Sequence, residues 1–534
     1  MKEEELLVQI DTDTPLGSNP KRPTRQMEVD DRFLLRCVLG CAFLCLSATV
    51  LFDASYQNYT IGAVLIGFFA LAVAYVWMSQ KGRVSTEQIL LLIFIAGFLL
   101  RLNYVLYTPL NLETHIRQHD LFDFGSGKGH AGYIEWFYNN GLKLIDQDPT
   151  TITQFYHPPL HHFLAAMWMR LLTTLGFRYE RAIASIQFLT LFYSSCCMFL
   201  SARIFRMLHL KRNGLILATA IIAFHPTFIL LAGSVNNDTL SILFVFLAVY
   251  ATIRWYYKPT LRNILLIAFA IGLGMMTKLS VAVVAPPVAL VFLIRFLQGS
   301  GKKRLHYFRE FVAFGCVCIP LGLWYSIRNL VLYDVPLGYV MQLSDTDAQY
   351  IGNYTLWQRL FDFSDHPFAN VFANRMSMGS DYYEYNLFAG ILKYSMFGEY
   401  NFEHYAEGIT PFCTALFIIN AVLVVLAVIS TAYCLIRKNR YLNRHIKLFL
   451  GSYYILMLVQ YVVFAMTYAH TCSMDFRYIT PTLIMGALSL GIVTEEAPRL
   501  AEKNGTAGLL SHIPSIVTVL FVISSSVVYL LLGA

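Results

Sequence analysis

Charge is what this chain of 534 residues lacks most. Asp, Glu, Lys and Arg make up only 14% of it, where a soluble domain carries about 25%. The deficit is concentrated in long uncharged runs, which exclude a soluble globular domain. Lipid offers no hydrogen-bond partner to backbone amides, so only helices and closed barrels cross it. Runs near the roughly 20 residues that a span requires mean helices. Paired-cysteine signatures are missing too. Cys37, Cys41, Cys45, Cys196, Cys197, Cys316, Cys318, Cys413 and Cys434 fall inside apolar runs or at their ends, where a thiol behaves as a small hydrophobe. Cys472 alone falls in an outer loop, and Cys316 and Cys318 do not have C-x-x-C spacing. No disulfide framework is expected. The chain has no internal repeat and no cleavable signal peptide. Residues 1–32, polar and with Pro15, Pro20 and Pro23, read as a disordered cytosolic tail, and the first apolar run as a signal anchor.

What remains is apolar: 57% hydrophobic and 15% aromatic residues, with a mean hydropathy of +0.54. The fold class is an all-α polytopic membrane protein. About thirteen spans are expected, near 33–53, 59–79, 88–107, 180–205, 214–233, 238–257, 262–277, 279–297, 310–331, 411–436, 447–468, 477–494 and 508–532. With the N-terminus inside, every inner loop is net basic: Lys81 and Arg83; Arg206, Lys211 and Arg212; Arg254, Lys258 and Arg262; Arg295 to Arg309; Arg437 to Lys447. That is the positive-inside pattern, and it places the C-terminus outside. It also accounts for the net charge of +7 without a nucleic-acid partner.

Two outer segments, 108–179 and 332–410, are too long to be mere connectors. "LHHFLAAMWMRLLTTLG" in the first has the periodicity of a helix lying in the interface plane. The second, rich in aromatics and acids, reads as a folded outer cap. The organisation expected is a tail (1–32), two N-terminal helices (33–87), a catalytic membrane module (88–331) holding the first loop, the cap (332–410) and C-terminal helices (411–534).

Polar groups gather on the outer side. "RQHDLFDF" brings Arg117, His119, Asp120 and Asp123 just past the third span, and Asp238 of "SVNNDTL" stands in the next outer turn. A carboxylate at a membrane edge is a functional candidate by default. In "FYHPPLHHF", His157 and His161 share a face, the spacing of a metal pair. The reading preferred here is two prolines opening an amphipathic helix, with the histidines aimed at headgroups or substrate. Lys278, Arg328 and Arg477 reach the same side. Each alone would snorkel; together, cations hold a phosphate while a carboxylate removes a proton. Such charges also suit a polytopic transporter or flippase of lipid-linked or polar substrates. The absence of an inverted repeat and the placement of the charges at the edge favour an enzyme.

In this order, "QHD", "GHAGYIEW", "HPPLHHF", "HPTFILLAGSVNNDTL", "GLGMMTKLS" and "DFRYITP" resemble the GT-C superfamily of membrane glycosyltransferases. The likeness spans roughly 88–494 and is to the branch of protein O-mannosyltransferases and lipid A aminoarabinose transferases, with a bacterial look. It implies inverting transfer of a hexose-type sugar from a polyprenyl-phosphate donor to an acceptor hydroxyl on lipid, polysaccharide or protein. By the same resemblance Asp120 is the general base and Asp238 the second acidic position. His119, His157, His161 and Asn237 bind substrate, and Lys278, Arg328 and Arg477 bind the carrier phosphate. A divalent metal is compatible with this chemistry but not required if Lys and Arg supply the charge. The mannosyltransferases have Asp-Glu where this chain has His119-Asp120. The implied setting is the outer face of a bacterial plasma membrane, or the luminal face of the endoplasmic reticulum in a eukaryote.

Overall fold

The computed structural model describes residues 21–52, 57–110, 124–363, 370–377, 380–398, 402, 406–504 and 512–532. Arg117, His119, Asp120 and Asp123 lie outside them. The chain runs α1 (Lys21–Leu51), α2 (Gln57–Gln80), α3 (Thr86–Tyr107), α4 (Gly129–Asn139), α5 (Leu160–Thr174), α6 (Tyr179–Ala184), α7 (Ile186–Met207), α8 (Arg212–Phe224), α9 (Pro226–Ala232) and α10 (Asp238–Tyr257). It continues with α11 (Leu261–Thr277), α12 (Ala285–Gln298), α13 (Lys302–Tyr333), α14 (Leu356–Phe361), the hairpin β1 (Asn374–Ser377) and β2 (Ser380–Tyr383), and α15 (Leu387–Phe397). The last helices are α16 (Thr410–Ile436), α17 (Arg444–Thr467), α18 (Leu483–Asn504) and α19 (Ile513–Leu531).

Among the described residues, ten helices are long and apolar enough to cross a membrane, or eleven if α8 and α9 form one span bent by 45°. The protein is a multi-pass membrane protein, but the expected thirteen spans are not all matched by that measure. α11 has 17 residues, fewer than the roughly 20 a span requires. The span expected at 477–494 begins instead in short 3₁₀ turns up to Thr482, because Asp475 caps the backbone N–H of Arg477 (2.7 Å) and Pro481 follows. α18 then carries Glu495 and Glu496. α1 begins at Lys21, inside the stretch 1–32 read as a tail.

The break between α8 and α9 has a visible cause. Pro226 has no N–H to give the carbonyl of Ile222. The fully buried guanidinium of Arg101 (α3) substitutes, donating to Ile222 O (3.2 Å) and Ala223 O (2.5 Å), while its Nε donates to Ser194 Oγ (2.9 Å). This intramembrane cation is a structural part. α8 and α18 cross at paired glycines: a Cβ on Gly214 would stand 2.5 Å from Gly491 O. Small residues at such a crossing let helix backbones approach.

The first outer segment has a small core of its own, in which Tyr133, Phe137 and Phe155 meet Ala165, Ala166 and Met169 of α5. The cap packs Tyr385, Leu387 and Tyr394 on Tyr461 and Ala465 at the end of α17. The two outer segments and the ends of α10 and α11 enclose the polar site.

Candidate functional site

Five stretches of the sequence converge on a cavity of about 330 Å³. The end of the α10 turn supplies Asp238. The break after α11 supplies Lys278, and the irregular stretch before α18 supplies Arg477 and Tyr478. The loop before α5 supplies Gln154, Tyr156 and His157, and α4 supplies His130. Tyr339, Gln460 and Phe464 complete much of the wall.

Each element is held locally. Asp238 opens α10, where a carboxylate is favoured by the helix dipole. Its backbone N–H donates to Asn236 Oδ1 (2.9 Å), and Asn237 Nδ2 donates to Thr277 O (2.9 Å), tying α10 to the end of α11. The carboxylate pairs with Lys278 Nζ through Oδ1 and with Arg477 Nε through Oδ2 (3.4 Å). Side-chain exposures of 6%, 13% and 11% put all three in a poorly hydrated place, where such attractions are strong. Both cations also lie near the Tyr478 ring, with Lys278 Nζ 4.8 Å and the Arg477 guanidinium 5.0 Å from its centre. Burial pulls the Lys278 ammonium below its usual pKa, against the opposing pull of Asp238.

The histidines form a second group. His130 Nδ1 and His162 Nε2 are 2.9 Å apart in nearly parallel rings. Tyr133 stacks on His162, with 4.5 Å between centres. The Tyr133 hydroxyl meets that of Tyr325 (3.1 Å), which donates to Phe155 O (2.8 Å). His161 Nε2 donates to Val235 O (2.8 Å). Burial holds all these imidazoles neutral. It pushes His157 down to about 3 and His161 to about 4, and His130 and His162 well below the usual histidine value. Among the described residues no three His, Cys, Asp or Glu side chains are grouped so as to hold a metal ion.

The structure therefore brings together Asp238, Lys278, Arg477 and His157 of the residues singled out in the sequence. It does not bring three others. His161 and Asn237 are fully buried on Val235 O and Thr277 O. Arg328 turns to Ile145 O (2.6 Å) and Asn329 Oδ1 (3.0 Å), because it belongs to the α13 joint with the first loop. His119 and Asp120 fall outside the described residues. Tyr478, Gln154 and His130 line the cavity without having been singled out. Two sat inside quoted motifs, "DFRYITP" and "GHAGYIEW". Gln154 is marked by a left-handed backbone (φ 72°), uncommon for a residue with a side chain.

Residues 156–324, about a third of the chain and the stretch holding His157, Asp238 and Lys278, match the family described as "Dolichyl-phosphate-mannose-protein mannosyltransferase". That match covers less than half of the chain, and what it shows is a similarity to membrane mannosyltransferases. The solved structures similar to this chain include the oligosaccharyltransferase of Archaeoglobus fulgidus in complex with Zn and sulfate. Identity there is 14% and the TM-score 0.47, over 81% of this chain and 53% of that one, so the chain spans about half its length. ArnT from Cupriavidus metallidurans is similar at 12% identity, over 83% of this chain and 76% of that one, both in the apo state (TM-score 0.45) and bound to undecaprenyl phosphate (0.43). None of the curated proteins matches the chain.

Proposed function

We propose that this protein is a glycosyltransferase that moves a hexose-type sugar from a polyprenyl-phosphate donor to an acceptor hydroxyl on the outer face of the membrane, with inversion. The observation that carries the reading is the Asp238–Lys278–Arg477 group on the wall of one cavity. Two cations on one cavity wall suit the phosphate of a lipid carrier and the charge that grows on it as it leaves. A narrow crevice shares Asp238, Ser280, Arg477 and Tyr478 with the cavity and continues along Ile242, Val245, Val283, Met457 and Pro481. The crevice measures only about 20 Å³, and its apolar lining marks the side on which a polyprenyl chain would leave the phosphate.

In the reaction, the acceptor hydroxyl loses its proton to the Asp120 carboxylate and its oxygen bonds to the anomeric carbon. The bond from that carbon to the phosphate oxygen breaks, and its electron pair stays on the phosphate, facing Lys278 and Arg477. Attack from the face opposite the leaving group inverts the centre. Asp238 orients the two cations and gives them up in part when the phosphate enters. The acceptor is a lipid, a polysaccharide or a protein. The membrane is a bacterial plasma membrane, or the endoplasmic reticulum in a eukaryote. The basic inner loops support a cavity on the opposite, outer side.

The test uses purified protein in nanodiscs, a panel of polyprenyl-phosphate sugars and release of free polyprenyl phosphate as readout. One donor is expected to turn over, and Asp120→Asn to abolish turnover with folding intact. Turnover that survives Asp120→Asn removes that residue as the base. Failure of every donor, with lipid, glycan and peptide acceptors supplied, sinks the reading.

A further inference from the structure

We propose that His130 is a substrate-binding residue, and that His162 sets its tautomer so that a neutral N–H points into the cavity and donates to a hydroxyl of the transferred sugar. The inference rests on the donor class proposed above and adds the group that reads the sugar. It begins from the histidine pair. A neutral imidazole has one N–H and one bare nitrogen. His162 is fully buried, its Nε2 meets His130, and its Nδ1 has no hydrogen-bond partner among the described residues. A buried N–H without an acceptor is costlier and rarer than a bare nitrogen without a donor. The His162 proton therefore sits on Nε2 and is donated to His130 Nδ1. His161, one residue earlier on α5, has the same arrangement: Nε2–H to Val235 O and Nδ1 bare. With Nδ1 of His130 already accepting, its own proton is on Nε2. His130 lines the cavity with 6% of its surface open, and Nε2 is the nitrogen left to face it.

The fold fixes that direction. A Cβ on Gly132 would run into the backbone of Gly127, so the glycines of "GSGKGHAG" let the start of α4 close against its own loop. The Tyr133–Tyr325 contact and the stacking of Tyr133 on His162 hold the pair from behind. Lys278 and Arg477 already offer charge to a phosphate. A neutral donor adds none, and a hydroxyl oxygen is the acceptor that such a donor suits.

The test measures binding by the full-length protein in nanodiscs. The probes are undecaprenyl phosphate and its mannose, glucose and aminoarabinose esters. Wild type is expected to bind one sugar ester more tightly than the bare lipid. His130→Leu should lose about tenfold on that ester while binding bare undecaprenyl phosphate within about twofold of wild type, which also shows that the variant is folded. His130→Gln, whose amide N–H reaches the Nε2 position, should recover to within about threefold. His162→Leu frees the proton of His130 to move to Nδ1 and should fall between the two. In turnover, the loss should appear in KM and not in kcat. Equal loss on bare lipid and ester would put the donor on the phosphate and overturn the proposal, as would no loss in His130→Leu or no preference for any ester in wild type. Wild type that binds neither lipid overturns the glycosyltransferase donor itself, a failure of the underlying reading that no variant is required to see.

Discussion

α10 carries an ionic group at each end, about 24 Å apart at ~1.5 Å per residue. At its start, Asp238 faces Lys278 and Arg477 on a cavity wall. In its last turn, Arg254 meets Asp31 (2.6 Å), which also binds Arg203 (3.0 Å) and the Tyr250 hydroxyl (3.0 Å). Both groups are one carboxylate with two cations, assembled from three distant stretches. Their surroundings differ. The second adds the Tyr250 hydroxyl and ties α1 to the last turns of α7 and α10, with Asp31 25% exposed. The first shares its charges with a chamber. Composition of a cluster therefore says little about its task. The space beside it decides.

The largest expected contrast is in activity. Lys278→Ala should lower turnover by about 10²–10³-fold, the scale of losing one pre-aimed stabiliser of leaving-group charge, and should weaken undecaprenyl phosphate binding. Asp238→Asn should also lower turnover but tighten binding of the bare phosphate lipid, because the two cations lose their internal partner. Arg254→Gln should leave both within about threefold. Comparable losses from Lys278→Ala and Arg254→Gln, followed by release of polyprenyl phosphate, would erase the distinction between the two ends.

A second contrast concerns stability. Arg101→Leu should cost about 3 kcal/mol, since it leaves the carbonyls of the α8–α9 break without donors in a dry interior, and should lower the melting temperature in detergent with little change in KM. Asp31→Asn, with its side chain 25% exposed, should cost only about 1 kcal/mol.

A third contrast is set by pH. The buried histidines beside the cavity are neutral in the folded protein and have depressed pKa values, His157 about 3 and His161 about 4. The unfolded chain takes up their protons near pH 6.5, so below that value it binds more protons than the folded state and stability falls with pH. Melting temperature should be flat above about pH 6.5 and decline from there toward pH 4. Arg254→Gln should leave that slope unchanged. A flat profile down to pH 4 would show the histidines to be hydrated.

Much of this was legible before any coordinates, for physical reasons that can be traced. Apolar length near the membrane thickness is a local property, so most spans sit within a few residues of their expected places. Proline is local as well: Pro158 and Pro159 directly precede α5. Exceptions arise where side chains override apolarity. Asp475 and Pro481 turn the expected start of a span into short 3₁₀ turns and so expose Arg477 to the cavity. The same residue types at Lys278, Arg328 and Arg477 looked equivalent on the page. Two reached Asp238 and one bound Ile145 O, because pairing depends on where helices cross.

The sequence alone determined a helical membrane protein with basic loops between its spans, two long connecting segments and polar groups at their bases. Hydrophobic length and charge asymmetry act residue by residue and need no partner. The tertiary structure decided which charges share a cavity, that Arg101 mends a proline break, and that His130 and His162 form one hydrogen-bonded pair. Those outcomes depend on contacts between residues tens to hundreds of positions apart, such as Asp238 with Arg477 and Arg101 with Ile222. Periodicity carries no record of such contacts, and only the packed helices supply the distance.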